Sequence, residues 1–137
     1  MSLTTLFAVV LLPVLLGLTG LVADGGEVLV ARRQVQGLAE GAAHAGAAQL
    51  DTAAARANPD RPAPLDPRAA ELAAAQYIAI QEPGLSATVR ADAQQVVVHV
   101  TSRPIPMTFL RLAGIMQVQV AADATAEPRT GVTSARR

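Results

Sequence analysis

The residues of this 137-residue chain that could do chemistry are few and poorly grouped. His44 and His99 are its two histidines. Neither has a carboxylate three or four positions onward, where a locally built metal or acid–base pair would need one. Both are expected to face solvent or to pack. Ser2, Ser86, Ser102 and Ser134 stand in no nucleophile-elbow context. Gly25-Gly26 is followed by no Gly-Lys-Ser/Thr, so it is not a phosphate loop. Zero cysteines exclude a thiol nucleophile, a thiolate metal site and a disulfide framework. The acidic residues are scattered, with no pair set apart for acid–base work. Arg32-Arg33 reads as a solvated or headgroup-facing helix surface, not an anion site. The expectation is a protein that is not an enzyme and carries no metal or cofactor.

The elements that would position these residues begin with an anchor. From Leu3 to Ala23 there is no charge, and 13 of the 21 residues are Leu, Val or Phe. As a helix the run would span about 31 Å, roughly one bilayer core. Each Leu, Val or Phe favours insertion by about 0.3–0.6 kcal/mol, enough together to offset three threonines and two glycines. Pro13 is tolerable in such a helix and can kink it. A cleaved signal peptide is the alternative. The run is longer than a usual signal core, no basic segment precedes it, and Leu21-Val22-Ala23 is a poor cleavage site. A buried soluble helix fits less well still. Residues 1–23 are thus expected to form an uncleaved transmembrane anchor. Arg32 and Arg33 flank its C-terminal side, so a simple count of positive charge would put the rest of the chain in the cytoplasm.

Beyond the anchor, residues 24–127 read as one small α+β domain. Asp24 with Glu27 three positions on is a capping-box pattern, and Gly25-Gly26 would permit a bend between anchor and domain. Residues 27 to about 57 read as one helix, with Val28, Ala31, Val35, Leu38, Ala42, Ala45 and Gln49 on one face. Gly37, Gly41, Ala45 and Ala48 form a small-residue stripe that would let another helix approach closely. Four prolines mark residues 58–67 as an extended connector. Asp66-Pro67 then starts a helix that runs to about Gln81 and ends at Glu82-Pro83-Gly84, with Leu72, Ala75, Tyr77, Ile78 and Ala79 on its weakly apolar side.

After Gly84 the period changes from helical to alternating. Residues 85–91 and 95–102 read as strands joined by a turn at Asp92–Gln94, with Val96, Val98 and Val100 sharing one face. Arg103-Pro104-Ile105-Pro106 breaks the second strand, and residues 107–114 read as a short helix. Residues 117–127 alternate again, with Val118, Val120, Ala122, Ala124 and Ala126 on one side. One apolar and one polar face imply an antiparallel sheet packed against a helix. Residues 128–137 read as a disordered tail. The charges balance, at eleven of each sign, so nucleic acid is not expected as a partner.

The order of these features resembles the TadE/TadG-like family of bacterial tight-adherence (Flp) pilus proteins. The likeness is carried by the anchor with its internal Leu-Leu-Pro and by Val14–Gly26. It continues through Ala31-Arg32-Arg33-Gln34-Val35-Gln36 and the Ala-Gly-Ala segments up to Leu50. The Pro104–Pro106 break, Thr108–Gly114 and the final alternating strand also match. The resemblance implies a pseudopilin-like fold: a transmembrane helix continuing into a long helix packed on a small antiparallel sheet. It implies a single-pass protein with a cytoplasmic N-terminus and an extracytoplasmic domain, against the arginine count.

The partners so implied are the membrane, other pilus or pseudopilin subunits and the inner-membrane assembly platform. Pro13, Gly17 and Gly20 would serve anchor packing, and Asp24, Gly25 and Gly26 the bend. Where many members carry a Glu near the start of the apolar run, this chain has Thr4, Thr5 and Leu6. The prepilin-peptidase pattern is absent, and a basic segment upstream of Met1 is expected. A minor pilin or pseudopilin-like assembly component is the leading expectation. The alternative is a membrane-tethered exported binding module that uses an exposed sheet edge.

Overall fold

The structure is a computed structural model and describes residues 2–128. In chain order its elements are α1 (Leu3–Ala47), α2 (Thr52–Ala57), α3 (Pro67–Gln81), β1 (Ser86–Ala91), β2 (Val96–Thr101), β3 (Ile105–Pro106), a 3₁₀ turn (Leu110–Ala113), β4 (Gln117–Val118) and β5 (Ala121–Ala126). The fold is α+β, as expected. Of the expected tail, residues 129–137 lie outside the described residues.

α1 is 45 residues long, about 68 Å of continuous helix. It starts at Ser2, whose hydroxyl accepts from the Thr5 amide at 3.3 Å, and it passes through Pro13. It also passes through Asp24-Gly25-Gly26 without a boundary. The expected cap there is therefore corrected, because Asp24 lies inside the helix. An N-cap needs extended backbone and a carboxylate free for its own next turn. In a continuous helix the amides after Asp24 find acceptors one turn back, in the apolar run, and its carboxylate is free to serve another segment. Each glycine costs roughly 1 kcal/mol against alanine in a helix, too little to break one continued on both sides.

The far end of α1 is a second correction, since the helix stops at Ala47 and not near residue 57. Leu50 pairs with Leu65 in an isolated antiparallel bridge. The Asp51 amide donates to the Pro64 carbonyl at 2.8 Å, and the Asp66 amide to the Gln49 carbonyl at 2.9 Å. Asp51 then caps the short α2, accepting from the amides of Ala53 and Ala54. The proline-rich connector is thus tied down, and its Leu65 is 2% exposed. Pairing with the connector competes with helix continuation and wins, because it buries Leu65.

α3 begins as its sequence indicates. Asp66 accepts from the Arg68 and Ala69 amides, and Pro67 takes the first helical position. Its buried residues are Ala70, Ala74 and Ile78, at successive four-residue steps. Leu72, expected on the apolar side, points outward.

β1, β2 and β5 form an antiparallel sheet in that order. Val96, Val98 and Val100 face inward and stand opposite Ala126, Ala124 and Ala122. The C-terminal half of α1 and α3 cover this face. α1 buries Val35, Leu38 and Ala42 as expected, together with Ala39, Ala43 and Ala47. Its stripe is wide because the helix touches both α3 and the sheet.

Small residues make these contacts close. A Cβ on Gly46 would meet the Ala70 carbonyl oxygen at 2.9 Å, and one on Gly41 would meet the Tyr77 ring. The helix approaching the expected small-residue stripe is α3 of the same chain, and Gly37 has open space beside it.

The β1–β2 turn is held by Asp92, whose carboxylate accepts from the Gln94 and Gln95 amides. The alternating run 117–127 divides in two. β4 pairs with β3, while β5 pairs with β2. At the crossing, the Ser102 amide donates to the Val120 carbonyl at 2.8 Å, and the Val120 amide donates to Ser102 Oγ at 3.0 Å. A buried serine hydroxyl thereby takes the place of a ladder acceptor.

Candidate functional site

β3 and β4 are the stem of a hairpin whose tip, residues 107–116, lies against α1 at Gly20 and Asp24. These two positions are one helical turn apart and share a face. Asp24 is 3% exposed. Its carboxylate accepts from three consecutive amides 84–86 positions along the chain: Thr108 at 3.2 Å on Oδ1, and Phe109 and Leu110 at 2.8 Å each on Oδ2. A carboxylate is suited to this, because its two oxygens offer about four acceptor sites. It also sits at the N-terminal end of the 3₁₀ turn, where unpaired amides converge. The Leu110 amide, and after it those of Phe109 and Thr108, hold the Asp24 carboxyl below the usual carboxylate range, although burial pushes the other way.

The ring of Phe109 lies on Gly20, where a side chain would otherwise stand. Met107 fills the tip from inside at 1% exposure, and its amide donates to the Met116 carbonyl at 3.0 Å. Gly114 closes the 3₁₀ turn at φ 87°, a conformation that favours glycine. The tip is thus a built structure locked to the helix by one carboxylate and one missing side chain.

The six positions singled out from sequence separate into two groups. Gly20 and Asp24 meet at the hairpin tip. Gly17, Gly25 and Gly26 have open space around them, and Pro13 is exposed within the helix. Phe109 and the rest of the tip were not singled out as site residues. A signal for them was present, since Thr108–Met116 is an apolar stretch between two short strands with no acidic residue.

Elsewhere, His44 is exposed on α1. His99 faces outward from β2, and its Nδ1 lies 2.6 Å from Asp123 Oδ1 on β5. The partner comes from across the sheet, so local spacing could not reveal it. A cleft of about 290 Å³ runs between α1 and residues 102–106. Its polar groups are already engaged: Gln34 donates to Glu82 at 2.6 Å, and Arg103 donates to the Pro83 carbonyl.

α1 is also a helix long and apolar enough to cross a membrane. Among residues 3–23 Gly20 alone is buried, and the large apolar side chains from Leu3 to Val22 are exposed. No curated protein and no solved structure matches the chain. The match that exists does not reach the hairpin or the sheet. Residues 2–49, which take in the whole of α1 and its membrane-length apolar run, are similar to the family described as "Putative Flp pilus-assembly TadE/G-like".

Proposed function

We propose that the chain is a structural subunit of a tight-adherence pilus or related secretion machine, acting as a minor pilin or pseudopilin-like assembly component. The observation that carries this reading is the division of α1. One face of its C-terminal part, from Val35 to Ala47, is buried under the chain's own domain, while its first 21 residues present apolar side chains outward, with Gly20 alone buried. Such a helix is available to pack among the membrane helices of other subunits. Van der Waals contact and small residues, not water, would drive that association. Gly17, open on the surface of the span, is the position where a neighbouring helix could approach closely. The partners on this reading are other pilus or pseudopilin subunits and the inner-membrane platform. The chain works by packing and not by catalysis.

The reading requires the domain to lie outside the cytoplasm, with the N-terminus inside. A cysteine placed at Ala93, in the exposed β1–β2 turn, would be the chain's first. Labelling of intact cells by a membrane-impermeant maleimide is expected, with spheroplasts and lysed cells as controls. Labelling only after lysis would put the domain in the cytoplasm and remove the proposal. A tethered binding module is favoured by one feature, the open edge of β1, where Ser86, Ala87 and Thr88 are exposed. Deletion that abolishes pili supports the first reading. Intact pili with lost surface binding support the second.

A further inference from the structure

We propose that the hairpin tip, residues 107–116, is a second membrane contact, with Phe109, Leu112, Ile115 and Met116 inserted at the boundary between headgroups and acyl chains. The inference rests on residues 3–23 spanning a bilayer. Given that, the level of the tip follows from its docking. Phe109 lies on Gly20, one turn inside the apolar run, and Asp24 holds the tip's amides one residue beyond its end. One turn of helix is about 5 Å, so the tip is held at the depth where an interfacial segment would sit.

Its surface suits that depth. Phe109 is 42% exposed, Leu112 91%, Ile115 43% and Met116 72%, so each keeps apolar surface that no described residue covers. The stretch carries one charge, Arg111, whose long stem can lie along apolar groups while its guanidinium reaches lipid phosphates.

The backbone is prepared as well. Lipid tolerates irregular backbone only where the polar groups are satisfied within the protein. Thr108, Phe109 and Leu110 donate to Asp24, Met107 to Met116, Leu112 to Phe109, Gly114 to Arg111 and Ile115 to Leu110. Asp24 thus removes three amides from the need for water just where water thins. The consequence is mechanical. Two contacts with the bilayer, a spanning helix and a wedge beside it, fix the tilt and rotation of the domain at the membrane surface.

The test uses the full chain in vesicles of phosphatidylcholine and phosphatidylglycerol, at fewer than one chain per vesicle on average. An environment-sensitive fluorophore is attached through Leu112→Cys, Leu12→Cys or Ala93→Cys, one at a time. Leu112 is almost wholly exposed, so its substitution leaves the fold intact. The Leu112 probe is expected to emit blue-shifted light and to be quenched more by lipids spin-labelled near the headgroup than by lipids labelled at the chain end. The Leu12 probe should show the reverse depth preference, and the Ala93 probe should resemble free dye. A Leu112 probe as aqueous as that at Ala93, with Leu12 still quenched, overturns the proposal and leaves the anchor standing. Loss of quenching at both Leu12 and Leu112 overturns the anchor as well. Burial of the Leu112 probe that appears only at high chain density would assign the patch to a second copy and also overturn the proposal.

Discussion

Gly46 and Gly37 lie on the same helix, yet alanine at the two should have opposite effects. In a helix alanine is favoured over glycine by roughly 0.8–1.0 kcal/mol. Around Gly37 there is open space for a Cβ, so Gly37→Ala should stabilise the domain by up to about that amount. At Gly46 the new carbon would meet the Ala70 carbonyl oxygen at 2.9 Å and the two Val96 methyls at 3.0 and 3.2 Å. Both neighbours are fully buried. One is backbone of α3 and the other stands at the start of the central strand, paired with Ala91 and Ala126 on either side, so neither yields easily. Overpacking of this kind costs roughly 1–3 kcal/mol, which outweighs the propensity gain. The two variants should therefore differ by roughly 1–3 kcal/mol, or several degrees in Tm at about 4–8 °C per kcal/mol. Tyr77 is the one tyrosine in a chain without tryptophan, and it rests on α1 at Gly41. Its near-ultraviolet circular dichroism in detergent-solubilised full chain thus reports the α1–α3 contact directly. If Gly46→Ala melts at or above Gly37→Ala, the close approach of α3 and β2 to α1 described above is wrong.

Gly17→Leu and Gly20→Leu should both insert into the membrane but fail differently. The first should impair piliation while the hairpin tip stays docked. The second should drive Phe109 off α1, seen as faster hydrogen exchange across residues 108–110. Unchanged piliation in Gly17→Leu removes the packing role of that residue. Asp24→Asn leaves one carbonyl oxygen for three amides and adds an amide donor facing them, so exchange at Thr108, Phe109 and Leu110 should accelerate while β2 is unaffected. Equal protection in the variant would refute the cap. The Asp24 carboxyl is held below its ordinary value of 3.8, so its contribution to stability is complete above that pH. It should be lost as the pH falls further, through the lowered folded value. Exchange that opens well above pH 3.8 would contradict this sign. The His99–Asp123 pair is 47% and 74% exposed, so Asp123→Asn should alter stability by less than about 1 kcal/mol, checked by the same melt.

Much of this molecule is legible along the chain because its causes are local. An uncharged run of 21 residues specifies a membrane-length helix by composition alone. Asp66-Pro67 starts α3, and Asp92 turns β1 into β2, because each carboxylate reaches amides two and three residues away. The two-residue period of a strand puts Val96, Val98 and Val100 on one face of β2, with His99 and Thr101 marking the other as the outward one. What tertiary structure alone decided lies where a local pattern has two solutions. Asp24-Gly25-Gly26-Glu27 reads as a helix start because capping is what such residues do nearby. The carboxylate instead caps a turn 84–86 residues away, and the helix runs on. Gly20 reads as a surface for other subunits but is covered by the chain's own Phe109. α1 could have continued past Ala47 on propensity, yet pairing of Leu50 with Leu65 across the connector ends it. In each case the deciding partner is distant in sequence and leaves no periodicity behind. Helix and strand patterns record which face is apolar, and only packing settles what covers it.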